Sequence, residues 1–209
     1  MKLRGALRPP ETPGEGMRIL VKKKLGIRDL VLCALFAALV AVGTFIKIPT
    51  PLLPLTLQTL SVVLAGLVLG SKRGAVAVAV YVVAGLVGLP VFTQGGGLGY
   101  LLNPTFGYIL GFIAGAWLAG FLIEAHPKPG LWGLTLAGVA AIALIYAIGI
   151  PWYYVVARWY LGKTLAASTL LWTFVLMPLP GDLISCFAAA LIVQRLRSFF
   201  PVASPDGKV

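Results

Sequence analysis

Acidic residues are scarce in this chain, and that scarcity narrows its class. Six of 209 residues are Asp or Glu, and charged residues of both signs make up 11%. A water-soluble domain of this length carries about 25% charged residues to cover its surface. Histidine occurs once, at His126, with no second ligand close by in the sequence, so no metal site is expected. The two cysteines, Cys33 and Cys186, fall in apolar runs and are expected to be buried free thiols without a disulfide. Enzyme signatures are also missing. There is no His-Glu-x-x-His, no Asp pair of the intramembrane aspartyl protease kind and no Gly-x-Ser-x-Gly. The glycines at 95–97 and 99 are not followed by Lys-Ser/Thr or preceded by a strand pattern, so a nucleotide loop is rejected. They are read instead as an outer loop whose backbone approaches a ligand or another helix.

What the chain does have is apolar length. Hydrophobic residues make up 59%, the mean hydropathy is +0.97, and several runs approach the ~20 residues that cross a bilayer as helix. The expected fold is an all-α integral membrane protein with one domain. It is a six-helix transmembrane bundle, with spans near 30–46, 55–70, 74–92, 106–124, 131–156 and 168–194. Six spans put both termini on one side. All seventeen Lys and Arg residues lie on that side except Lys47, Arg158 and Lys163, so the positive-inside rule makes both termini cytoplasmic. The net charge of +11 is thereby read as topology and anionic-lipid contact, with no nucleic-acid partner. Residues 1–24 form a polar leader rich in Pro, Gly and charge, expected to be disordered and with no cleavable signal pattern. Met17 opens a second, more compact N-terminus. Residues 25–198 form the membrane domain and 199–209 a short cytoplasmic tail.

Several stretches carry local signals. On the first span Ala34 and Ala38, and likewise Ala37 and Ala41, repeat at spacing four and lay a shallow groove for another helix. That groove serves either internal packing or an outward docking face. "KIPTPLLP" fixes an extended outer loop, either a lid or a plain turn. Gln58 sits near the outer end of the second span with Thr56 and Thr59, where helix–helix hydrogen bonding is its default role. Gly107, Gly111 and Gly115 form a close-packing face on the fourth span. Trp152, Tyr153, Tyr154, Trp159 and Tyr160 read first as an interfacial aromatic belt, with lining of a pocket as the second reading.

The most informative stretch is "MPLPGDLISCF" at 177–187. Pro178 and Pro180 break the last span, and Asp182 follows in the first turn of the resumed helix, with Ser185 and Cys186 on the same face. Asp182 is the one acid deep in a span, and no Lys or Arg lies inside a span to pair with it. A charge there costs roughly 3 kcal/mol on insertion scales and is functional by default. The plainer reading is a helix cap held by local N–H groups. A lone carboxylate suits acid–base chemistry poorly. It suits a neutral polar ligand that donates N–H bonds.

Four segments in order, "PLTLQTLSVVLAGLVLGSKRGAVAVAVYVVAGLVGLPVF", "GGGLGYLLNPTFGYILGF", "GIPW" and "LPGDLI", resemble the BioY family. Its members are biotin-specific substrate-binding (S) components of energy-coupling factor (ECF) vitamin importers. The similarity covers roughly residues 28–197. It implies a six-helix S component that captures biotin from outside without a cofactor or an ATPase of its own. Its partners would be a transmembrane T component and two cytoplasmic ATPases in the inner cell membrane. It implies that Asp182 meets the biotin ring, that Gln94 contacts it as well, that Ala34 and Ala38 dock the T component, and that 47–54 acts as a gate. Asn103, Tyr108, Gln58 and Ser185 complete the expected binding set. One departure stands out, because the family carries lysine where this chain has Ser185, and that lysine receives the biotin carboxylate. Either Lys47, Arg158 or Lys163 takes over, or biotin binds more weakly, or the ligand is a relative of biotin. Asn103-Pro104-Thr105-Phe106-Gly107-Tyr108 also departs from the family's Gly-Pro-Thr-Gly-Gly-Tyr, bringing a larger side chain and a new amide. The readings from other classes are a membrane enzyme, which would need a second reactive group facing Asp182, and a scaffold, which needs no pocket.

Overall fold

The computed structural model describes residues 26–48, 55–126, 129–162 and 166–199. The polar leader, the segment 49–54 of the expected gate, Lys128, Lys163 and the tail from 200 onward lie outside these residues. Seven α-helices follow in order: α1 (Ile27–Phe45), α2 (Gln58–Leu69), α3 (Ser71–Leu86), α4 (Phe106–Glu124), α5 (Leu131–Trp159), α6 (Ala167–Leu171) and α7 (Leu179–Phe199). A two-residue antiparallel ladder joins β1 (Lys47–Ile48) to β2 (Leu55–Thr56), pairing Lys47 with Thr56. Among the described residues four stretches are long and apolar enough to cross a membrane: Ile27–Phe45, Phe106–Glu124, Leu131–Trp159 and Ser168–Leu196.

The surface is rich in large apolar residues, and small residues pack alongside large ones in the interior. Leu30, Val31, Leu35, Trp132, Trp172 and Ile184 are exposed, whereas Ala65, Ala77, Ala116, Ala119, Ala141, Ala189 and Ala190 are fully or almost fully buried. That inversion is what a lipid solvent favours, since hydrocarbon gives large aliphatic side chains no reason to turn inward. The α1 alanines split accordingly. Ala37 faces the bundle and Ala34 and Ala38 face out, so the internal-packing reading does not hold for that second pair.

Helix α2 stands at the centre. Ten of its twelve residues are buried, which fits an element packed against α1, α3, α4, α5 and α7 at once. Its 12 residues rise only about 18 Å, so the expected span at 55–70 is a shorter helix whose first residues are given over to β2. Gly66 sits against the Ala116 carbonyl and Ala119 of α4, where a Cβ would collide with backbone. Gly66→Ala is expected to cost about 1–3 kcal/mol, read as a lower thermal unfolding midpoint in detergent. On α4 the expected glycine face is present. Gly111 and Gly115 both pack on Ile145 of α5, and Gly107 packs on Trp152.

Two of the scarce acids secure helix ends. Glu124 accepts from the Ser71 backbone N–H (2.8 Å) and the Ser71 hydroxyl (2.6 Å). It thereby satisfies donors at the N-terminus of α3, where a negative charge is also favoured. Asp29 accepts from the Gly26 N–H and pairs with Arg73 Nε at 3.2 Å, tying α1 to α3. Both cysteines are buried and free.

Two boundaries differ from expectation. Helix α3 stops at Leu86 instead of running to 92, because Gly88 takes φ +118° and Pro90 offers no N–H. The chain then folds back so that Phe92 lies on Gly85. Helix α7 starts at Leu179, ahead of the expected Gly181, since Pro180 is tolerated in a first turn where N–H groups have no partner. Before it, Trp172–Leu176 forms a π-helical segment closed by Met177 N–H to the Trp172 carbonyl at 2.9 Å. Such segments widen a helix and recur beside functional sites.

Candidate functional site

A cavity of about 380 Å³ opens where the β1–β2 ladder, the start of α2, α4, α5 and the break before α7 converge. Its volume lies in the range of small-molecule pockets. Much of its wall is apolar, from Ile109 and Phe112 of α4 and Ile142 and Ile145 of α5. The polar groups on it come from several elements, among them β1, α2, α4, α5 and α7.

Asp182 reaches this wall from the first turn of α7. Its backbone N–H joins the helix by bonding the Pro178 carbonyl at 3.0 Å. Its carboxylate does something other than capping. Oδ2 accepts the Tyr146 hydroxyl of α5 at 2.5 Å, which fixes the carboxylate across the gap between two helices. Thr59 of α2 lines the same cavity beside it. A carboxylate with several acceptor positions, one of them held by Tyr146, keeps capacity for donors inside the cavity. Ser185, one turn on, is buried and on the wall. Cys186 is buried as well but off the wall, its Sγ packed against Gly138 of α5.

Tyr108 is on the wall, and its buried hydroxyl has no protein partner among the described residues. A buried phenol without a partner costs about 1–3 kcal/mol, so this hydroxyl is a polar group available to a ligand. Its ring meets Tyr146 edge-on at 6.2 Å, and the two tyrosines flank the Asp182 side of the cavity. Gln58 is on the wall too, but its amide Nε2 donates to Tyr81 Oη at 2.7 Å. Tyr81 in turn donates to the Val91 carbonyl at 3.2 Å and meets Thr44 Oγ1 at 3.3 Å. Gln58 therefore ties α1, α2, α3 and the following loop together as well as facing the cavity.

Gln94 and Asn103 were expected on the ligand and stand off the wall. Asn103 Nδ2 donates to Gln94 Oε1 at 2.8 Å. The Asn103 Oδ1 accepts the Thr105 N–H at 3.0 Å and the Thr105 hydroxyl at 2.8 Å. This is an Asx-type turn that starts α4 and sets Thr105, which does line the cavity. The new amide in this chain is thus spent on the loop, and Phe106 is in the core.

The aromatic belt is partly present. Trp159, Tyr160 and Tyr154 are exposed, whereas Tyr153 is buried against Phe174, with ring centroids 4.1 Å apart. The belt residues do not reach the cavity wall. The aromatic from this helix that does reach it is Tyr146, which sequence reasoning passed over. A tyrosine hydroxyl within an apolar span needs a partner, and the chain's one deep acid was the available signal.

Of the cations expected on the outer side, Lys47 lines the cavity and donates to the Thr93 carbonyl at 2.8 Å. Arg158 donates to Tyr154 Oη at 2.9 Å on the exposed side.

Comparison with known proteins matches residues 17–202 to the BioY family model. The chain is 41% identical over 178 residues to the "Probable biotin transporter BioY" of Lysinibacillus sphaericus, covering 85% of this chain and 91% of that protein. It is 41% identical over 173 residues to the biotin transporter BioY of Thermotoga maritima, covering 82% and 96%. The fold is similar to that of the S-component for biotin from an ECF-type ABC transporter, with TM-score 0.73 and 26% identity over 82% of this chain and 92% of that one. The family is one of transport proteins, which agrees with the lack of enzyme signatures. With a model match across nearly its whole length and relatives of this identity, the chain belongs to the BioY family.

Proposed function

We propose that this protein is the membrane substrate-binding subunit of an ECF-type importer and that it captures biotin in the cavity around Asp182. One observation carries this reading. A single carboxylate, held by Tyr146, projects into an otherwise largely apolar cavity of small-molecule size. The ureido ring of biotin presents two N–H donors and a carbonyl acceptor on a compact bicycle. A carboxylate accepting N–H bonds in a dry site makes strong, charge-assisted contacts, and the Tyr108 hydroxyl is placed to donate to the carbonyl. Ser185 and Thr59 supply further hydroxyls, and Gln58 frames the cavity from the Tyr81 network. Gln94 and Asn103 brace the loop that positions Thr105.

Six spans with both termini cytoplasmic, in the cell membrane, follow from the charge distribution. Nothing in the sequence carries an ATPase motif, so uptake depends on partners, a transmembrane T component and two ATPases. The outward Ala34–Ala38 face of α1 suits close approach of a partner helix.

The test is equilibrium titration of the detergent-purified protein with biotin, in competition with other small vitamins. Saturable binding of biotin in preference to the others is expected. A different vitamin displacing biotin would reassign the ligand. Within this site Tyr146→Phe removes the hydroxyl that holds Asp182, a charge-assisted hydrogen bond of about 1.5–3 kcal/mol. An affinity loss of about tenfold or more is therefore expected in the same titration.

A further inference from the structure

The acids of the chain are accounted for in a way that leaves one cation conspicuous. Asp29 pairs with Arg73, Glu124 caps Ser71 and Asp182 holds Tyr146. The other three acids, Glu11, Glu15 and Asp206, lie in the terminal segments. Lys47 has no carboxylate partner among the described residues. Its ammonium lies on the cavity wall with one bond, to the Thr93 carbonyl, out of three donors. It stands on β1, paired through the ladder with Thr56. That is a different wall from the Asp182–Tyr146 pair on α7 and α5. Lys47 is exposed whereas Ser185 is buried, so the cavity runs from a cationic rim to a carboxylate-bearing interior. Such a site complements a ligand with N–H donors at one end and an anion at the other.

We infer that Lys47 is the specificity-determining residue for the ligand's free carboxylate, doing at the rim what Ser185 lacks the charge to do in the interior. The inference rests on the biotin reading above. It orients the ligand ring-inward, with the valerate chain along Ile109, Phe112 and Ile145 and the carboxylate at Lys47. The ammonium exchanges a neutral carbonyl for an ionised acceptor, a shorter and stronger bond. Arg158 is spoken for by Tyr154 and is not on the wall. The selectivity that follows is for the free acid over its neutral amide.

The test compares biotin with biotinamide, which has the same ring and chain and no charge, on wild type, Lys47→Met and Lys47→Arg. The wild type is expected to prefer biotin by about tenfold. Lys47→Met should lower biotin affinity to the level of the amide and leave amide affinity unchanged. Lys47→Arg should keep the preference, and the thermal unfolding midpoints should agree within error. A preference that survives in Lys47→Met overturns the inference. So does loss of both ligands alike, which would assign Lys47 to the shape of the rim. Wild type binding biotin and biotinamide equally leaves the biotin reading standing and removes the role of Lys47. Wild type binding neither removes the biotin reading itself, and this inference with it.

Discussion

Asp182→Asn is expected to lower biotin affinity by about 100-fold or more while the protein still folds. The substitution is nearly isosteric, so the cavity keeps its shape. The Tyr146 hydroxyl still finds an acceptor in the amide oxygen. That very bond turns the amide nitrogen toward the cavity, where the ligand's N–H groups arrive. Donor then faces donor, and a charge-assisted acceptor has been lost. Losing the charged hydrogen bond costs about 1.5–3 kcal/mol and stranding a buried donor adds about 1–3. At 1.4 kcal/mol per factor of ten, the sum is about two to four decades. Folding is spared because removing a charge from a lipid-embedded segment relieves a cost instead of adding one. The thermal midpoint of Asp182→Asn should therefore equal or exceed that of the wild type. A variant that binds normally would return Asp182 to a structural role.

The second large effect concerns transport and not binding. Ala34 and Ala38 face outward on α1, so bulky replacements there point away from the bundle formed by the described residues. Ala34→Trp with Ala38→Trp should leave biotin affinity of the purified protein within about twofold of wild type, yet reduce uptake in cells by about tenfold or more. A close helix–helix contact depends on small residues at the crossing. The contrast between the two readouts is the informative part. Uptake and binding falling together would place these alanines in the fold, and uptake unchanged would place the partner elsewhere.

Much of this was legible in the sequence, for physical reasons that can be named. Scarce charge and long apolar runs identify a lipid solvent without any fold knowledge, and the span at 106–124 coincides with α4. Asp182 stood out because an acid in hydrocarbon is expensive, and the proline break before it marked the place where α7 begins. Other features were harder to read from the sequence. Helix α2 is short because the ladder to Lys47 consumes its first residues, a pairing that an apolar run does not announce. Tyr146 was hidden because its significance lies in a partner 36 positions away. Gln94 and Asn103 carry the right chemistry but are satisfied by each other and by Thr105. Whether an amide faces a ligand or its neighbour depends on loop geometry that spacing does not encode. The reverse holds for Lys47, which the sequence offered beside Arg158 and Lys163 and which the fold brings to the cavity.

The most direct test of the account is a structure of the protein grown with biotin. The ureido ring is expected against Tyr108 and Tyr146, with a ring nitrogen about 2.7–3.2 Å from the Asp182 carboxylate and the carboxylate directed to Lys47. Biotin seated outside this cavity, or reversed with its carboxylate toward Ser185, would contradict it.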